Sequence, residues 1–527
     1  MSTQNVLIGG RWRPAQASSQ FQAFNPATGE PLPDQYPVSL WADCDEALSA
    51  AAEAAAALRR IAPLQIAAFL RRFAERIEAR AAQIIELAHL ETGYPIKPRL
   101  ADAEMPRTIG QLRQAAAAAE EGSWSQPTID VPANIRSYLA PLGPVCVFGP
   151  NNFPLAFGSA SGGDFAAAIA AGNPVIAKAN TSHPGVTRLF AEEAFDAVKD
   201  TGLPPATVQL LYRTSHADGE RLVSDARVGA TGYTGSRAAG LKLKEAADRE
   251  GKPIYLELSS INPVAVLPGA LAERADKIAE EFAGSCLMGT GQFCTNPGLV
   301  LLLAGEATES FITNIVKRFG DATPGVLLSQ SVAKSLGATV VQLTKAGAKL
   351  LTGGSPVEGN GYRHQNTLLR VSGEQFLNDP HTMQSEAFGN SSLIVVARDA
   401  NEAARVLNQL EGNLTGCIYS DTTGKDDALY DQLAACMRPK VGRLLNDKMP
   451  TGVAVSAAMN HGGPFPATGH PGFTAVGIPA SLRRFGMLEC FDAVRPHRLP
   501  PILQDKNPSG KAWRLIDGAW SQKDVGG

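Results

Sequence analysis

Val145-Cys-Val-Phe148 and Val175-Ile-Ala-Lys178 are two short apolar runs separated by an Ala-rich stretch, and the pair reads as strand, crossover helix and strand of a parallel sheet. The same alternation continues outward through Val208-Gln-Leu-Leu-Tyr212 and Ile254-Tyr-Leu-Glu257. A second series follows, with candidate strands at 263–267, 298–303, 392–396 and Val441–Asn446. The pattern predicts an α/β fold of two doubly wound parallel-sheet domains plus a small β element. Residues 1–122 and 143–258 form the first domain and 259–480 the second. Ahead of the first series, Ile66, Leu70, Phe73 and Ile77 recur at the three-and-four spacing of an amphipathic helix that ends at Gly93 and Pro95.

Two pieces stand outside the alternation. Residues 123–142 carry two short strand-like runs around a Pro-Ala-Asn turn, too little sheet to be stable alone. Residues 481–527, with Pro496, Pro500, Pro501, Trp513 and Trp520, read as an extended tail. Both are expected to bridge copies of the chain in a homodimer or homotetramer, or else to wrap the chain's own surface.

Across 527 residues, 44% are hydrophobic and 19% charged, and the net charge is −3. That balance excludes a disordered chain and gives no electrostatic case for nucleic acid or a membrane surface. The amino-terminal segment lacks the basic and apolar sections of a signal peptide, and the longest apolar run, near Leu299, is far too short to span a bilayer, so a cytoplasmic protein is expected. Seven scattered cysteines (44, 146, 286, 294, 417, 436 and 490) form no C-x-x-C pair, which argues against a disulfide framework and against a structural metal.

Among them Cys294 stands apart, in Gly289-Thr-Gly-Gln-Phe-Cys294-Thr-Asn-Pro297, on a tight connection expected beside a sheet edge. A buried structural cysteine is the plain alternative. Glu257 closes an apolar strand, where a carboxylate points toward the usual ligand crevice of a parallel sheet or is simply a solvated strand end. Asn152, in Pro150-Asn-Asn-Phe-Pro154, follows a strand in the same way and could equally be a turn residue.

Six ordered motifs decide between these alternatives. They are Asn152-Phe-Pro154, Gly172-Asn-Pro-Val-Ile-Ala-Lys178, Tyr233-Thr-Gly-Ser236, Glu257-Leu with two small residues after it, Gly291-Gln-x-Cys294, and Glu386-Ala-Phe-Gly389. In order and spacing the chain resembles the aldehyde dehydrogenase superfamily over nearly its whole length. With His461-Gly-Gly-Pro-Phe-Pro-Ala-Thr468 it is similar to a narrower branch of NADP-preferring bacterial enzymes and ketoglutarate semialdehyde (2,5-dioxopentanoate) dehydrogenases. The resemblance implies that Cys294 attacks the aldehyde as a thiolate formed readily in a favourable local field, giving a thiohemiacetal. Asn152 and the backbone N–H of Cys294 would hold the oxyanion, and Glu257 would activate the water that hydrolyses the thioester.

No G-x-G-x-x-G is present. The resemblance instead implies that the pyrophosphate lies at the helix start after Gly235-Ser236, with Lys178 at the adenosine ribose and Glu386 and Phe388 at the nicotinamide ribose. Many NAD-using relatives carry a glutamate three residues after the lysine, whereas this chain has Lys178-Ala-Asn-Thr181. Thr181 removes a charge that would repel a 2′-phosphate, and Arg213 could bind one, so NADP is the expected cofactor, with NAD possible. Asn151 and Ser259-Ser260 depart from common family residues without closing the site.

By the same resemblance, Phe157, Phe293, Thr295, His461 and Phe465 line the substrate tunnel. No arginine stands in these motifs to bind a distant carboxylate, so 2,5-dioxopentanoate rests on the branch alone, and medium-chain or aromatic aldehydes remain the alternative. A CoA-acylating enzyme would generally lack Glu257, a cysteine hydrolase would want a histidine in a recognisable motif, and a non-catalytic relative would not need all of Cys294, Glu257 and Asn152.

Overall fold

A computed structural model describes residues 3–526. In the first sheet, strands Ile254–Glu257, Ala230–Thr234, Val145–Phe148, Val175–Lys178 and Val208–Leu211 lie side by side and parallel. The amino-terminal strands Val6–Ile8 and Arg11–Arg13 extend it antiparallel beyond Val208–Leu211. Thr234 pairs with Glu257, and Phe148 with both Tyr233 and Lys178. This register brings Glu257, Lys178 and the loops after Phe148 and Thr234 out along one carboxyl edge.

Helices pack on this sheet for reasons written locally. Pro63–Thr92 begins with proline at its first position, where the missing N–H costs nothing, and buries Ile66, Phe69, Leu70, Phe73 and Ile77. It stops at Gly93, whose φ of 67° lets its N–H close on His89 O. Phe73 meets Phe165 edge-on at 5.7 Å, both fully buried, and each such ring contributes roughly 2–3 kcal/mol of burial.

The second sheet runs Lys349–Thr352, Thr367–Ser372, Ser391–Ala397, Leu299–Leu303, Val264–Val266, Asn413–Tyr419, Val441–Asn446, and only its first strand is antiparallel. Two expectations change here. Leu299–Leu303 is the fourth of the seven strands, so the Cys294 connection leads into the middle of the sheet and not into an outer strand. Lys349–Thr352 was not anticipated, and neither were the strands Thr367–Ser372 and Asn413–Tyr419. The latter is buried throughout yet carries Asn413, Thr415 and Gly416, so it does not read as an apolar run.

Residues preceding these strands, Cys294 among them, lie at the amino edge of the second sheet. That edge faces the carboxyl edge of the first, and Leu258 N donates to Ala467 O across the junction.

The carboxyl-terminal segment is not an extended tail. Its strands Gly486–Asp492, Arg514–Ile516 and Ala519–Ser521 join Thr128–Asp130 and Ile135–Pro141 in one five-stranded sheet. Arg514, fully buried, ties the segment together by donating to the carbonyls of Gln504, Asp505 and Lys523.

Candidate active site

Four distant stretches converge where the two sheets face each other. Cys294 Sγ lies 3.3 Å from His461 Nε2, and the same nitrogen lies 2.9 Å from Glu257 Oε1. Glu257 and His461 are almost wholly buried, and Glu257 Oε2 has no protein partner. The Asn152 side-chain amide donates to Gln292 O at 3.0 Å, two residues from the thiol.

The loop bearing Cys294 is fixed on several sides. Asn262, with φ 48°, donates its amide to the carbonyls of Cys294 and Asn296. Gln292 donates to Gly289 O and Val326 O and accepts from Leu328 N. Gly291 has φ 69°, and a Cβ there would fall 2.0 Å from Gly389 O. Two of the six motifs therefore pack backbone against backbone, and only glycine fits between them. On the other side Glu104 accepts from Leu155 N and Ala156 N, and Arg99 donates to Asn152 O, which sets the Asn152 loop.

Electrostatics correct one expectation. Burial, and next the charge of Glu257, push the Cys294 thiol well above its ordinary range, against a smaller opposing pull from Arg107. The resting site holds a thiol, not a readily formed thiolate, and needs a proton acceptor before attack. His461 is in contact with it. Thiol, imidazole and carboxylate ligand atoms lie within 4.8 Å of one another, so a soft divalent cation could take all three at the expense of the nucleophile.

Toward the cofactor side, burial with Arg213 nearby pushes Lys178 down to about 8. Among the described residues neither Lys178 nor Arg213 has a carboxylate partner, and Arg213 is exposed. Gly235 N donates to Glu257 O, while Ser236 caps the helix Arg237–Arg249 by accepting from Ala239 N. A cleft of about 420 Å³ opens beside that helix start, lined by Arg237, Ser259, Glu386 and Glu411. Burial pushes Glu386 up to about 7, with the Ser259 hydroxyl and Ser260 N–H acting the other way, and Phe388 lines the adjoining hollow with Phe293. A cation pair without carboxylate partners, a helix start beside an open cleft and a carboxyl that accepts or donates near neutrality suit the phosphates and ribose hydroxyls of a dinucleotide.

The tunnel residues divide. Phe157 and Phe293 both meet Phe153, each at 5.2 Å, and Phe157 also meets the His461 ring at 5.9 Å. Thr295 is buried and accepts from Gly452 N. Phe465 is not with them: it is 59% exposed and stands 6.0 Å from Arg237 on the cofactor side.

Sequence reasoning missed Asn262, Gln292, Arg99, Arg107 and the direct contact of His461 with both reactive groups. Gln292 sits inside a quoted motif and Asn262 two residues beyond one, so both could have been singled out. Arg99 and Arg107 belong to no motif.

A profile of the Aldehyde dehydrogenase family matches residues 12–449. The chain is 40% identical to alpha-ketoglutaric semialdehyde dehydrogenase 2 of Azospirillum brasilense, over 98% of this chain and 99% of that protein. It is 33% identical to alpha-ketoglutaric semialdehyde dehydrogenase of Acinetobacter baylyi, over 98% of each. Among solved structures it resembles PnpE in complex with nicotinamide adenine dinucleotide, with a TM-score of 0.80 at 22% identity, covering 94% of this chain and 100% of that one.

Proposed function

This chain belongs to the aldehyde dehydrogenase family and is an oxidoreductase that acts on aldehydes with NAD(P), and from that premise we propose that it oxidises α-ketoglutaric semialdehyde (2,5-dioxopentanoate) through a thioester on Cys294. The observation that carries the mechanism is the line from Cys294 Sγ through His461 Nε2 to Glu257 Oε1, at 3.3 and 2.9 Å. With the imidazole protonated at Nδ1, the bare Nε2 takes the thiol proton, and the single N–H so formed then donates to the Glu257 carboxylate rather than back to sulfur. Sγ then bonds to the aldehyde carbon and the carbonyl electrons move to oxygen, where the Asn152 amide and the Cys294 N–H are the donors at hand. A bound nicotinamide supplies the hydride acceptor. Glu257, through the oxygen left unpartnered, next takes a proton from the water that attacks the thioester, and Sγ departs with the acid released. The presence of Glu257 favours water over CoA as acceptor. The substrate is supported by the two relatives named for it, and the test is formation of reduced nicotinamide from that aldehyde in the absence of CoA.

The cofactor side supports NADP over NAD. Arg213 adds to the burial that lowers Lys178, neither makes an ion pair with a carboxylate among the described residues, and Thr181 adds a hydroxyl rather than a carboxylate. Arg213→Gln is expected to lower kcat/KM for NADP by roughly 10- to 100-fold, the worth of one charge-assisted hydrogen bond, and to leave NAD nearly unaffected. Equal losses with both cofactors, or a parent enzyme that prefers NAD, would overturn this.

We also assign the five-stranded sheet to contact with a second copy of the chain. It leaves Leu488, Trp513 and Trp520 about half or more exposed, beside the free edge of Gly486–Asp492. Light scattering should give a multiple of the 55.4 kDa chain mass, reduced in Leu488→Asp. A monomeric parent protein rules the interface out.

A further inference from the structure

Arg107 lies in the first turn of the helix Met105–Glu121, where the helix dipole disfavours a cation. Its guanidinium sits 5.0 Å over the Phe157 ring, and that ring meets His461 at 5.9 Å on the way to Cys294. One aromatic ring thus separates it from the imidazole that touches the nucleophile. Nη1 donates to Val453 O, but the buried Nε and Nη2 have no protein partner. These two atoms form the edge of the fork that offers two parallel N–H groups, the geometry a carboxylate accepts in bidentate fashion.

Other interior arginines are answered from within the chain. Arg484 faces Asp164, Arg136 faces Asp505 and Arg99 faces Glu104. Arg443, also near Cys294, donates from Nη2 to the carbonyls of Pro450 and Gly452 and from Nη1 to Met459 Sδ, so Nε alone is left without a partner and no two-donor edge is free. Among the described residues Arg107 makes no ion pair with a carboxylate. Burial loosens its hold on its proton, and the groups that act on it include Cys294, Glu104, Arg99 and Glu257, so it is within electrostatic reach of the reaction.

We propose that the free Nε–Nη2 edge of Arg107 binds the carboxylate of the substrate, at the end remote from the aldehyde, and thereby selects anionic aldehydes over neutral ones. This rests on the reading of Cys294 as nucleophile and adds what no sequence motif displayed, a cation for the substrate's far end.

The test compares kcat/KM for α-ketoglutaric semialdehyde and for pentanal, an uncharged five-carbon aldehyde, in the parent enzyme, Arg107→Met and Arg107→Lys. The parent should prefer the anion. In Arg107→Met that preference should fall roughly 30-fold or more, mainly through KM, the effect of losing a bidentate charged contact, with Arg107→Lys between the two. If the methionine variant does not fold, the lysine variant, which keeps stem and charge but loses the fork, carries the test through a smaller fall in preference, again mainly in KM. An unchanged preference in an active variant, or equal losses on both aldehydes, overturns the role of Arg107 and leaves the proposed substrate standing. A parent enzyme indifferent to the charge overturns both.

Discussion

Cys294→Ala is expected to abolish nicotinamide reduction by aldehyde, with kcat lower by about 10⁴-fold or more, because no other group can form the covalent adduct from which hydride departs. The other thiols offer no substitute. Cys286, eight residues earlier, is fully buried in the helix Pro268–Leu287, and burial pushes it up to about 12. The alanine variant should keep its fold, since Cys294 is only partly buried and its loop is held by Asn262, Gln292 and Gly291 rather than by the sulfur. Turnover within about tenfold of the parent would place the nucleophile elsewhere.

Glu257→Gln should separate the two halves of the reaction. Rapid mixing with aldehyde and cofactor is expected to give a burst of up to one equivalent of reduced nicotinamide per site, followed by turnover about 10²- to 10⁴-fold slower than the parent. The amide cannot take a proton from water, so the thioester accumulates. A second readout follows from the sign of the thiol's shift. The Glu257 charge raises the Cys294 pKa, so its removal must lower it, and alkylation by iodoacetamide should set in at lower pH in the variant than in the parent. Absence of a burst, with first and later turnovers equally slowed, would move Glu257 out of the hydrolytic step.

Much of the site was legible because its residues sit at punctuation. Glu257 ends a strand, Asn152 follows one between two prolines, and Cys294 lies between glycine turns and a proline, so local pattern marked them as candidates and the resemblance carried by the six ordered motifs chose among the alternatives. What local pattern could not give was the facing of two sheet edges. The crevice rule applies to one sheet's carboxyl ends, whereas here the amino edge of a second sheet closes the site and delivers the thiol.

The raised thiol pKa and the unanswered fork of Arg107 are likewise products of burial among groups hundreds of residues apart. The strand Asn413–Tyr419 escaped notice because its polar side chains are paired at long range. Asn413 Oδ1 accepts from Ile261 N and Asn262 N, so a residue that looks like a turn signal holds the turn leading away from Glu257.

The five-stranded sheet has a consequence for how the chain is made. Its strands Thr128–Asp130 and Ile135–Pro141 leave the ribosome more than three hundred residues before the strands that flank them, and alone they are too small to hold together. Throughout that interval the nascent hairpin presents two bare backbone edges to any neighbouring polypeptide. Translation must run almost to completion before this part of the molecule can be sealed, so slow elongation late in the message exposes it longest.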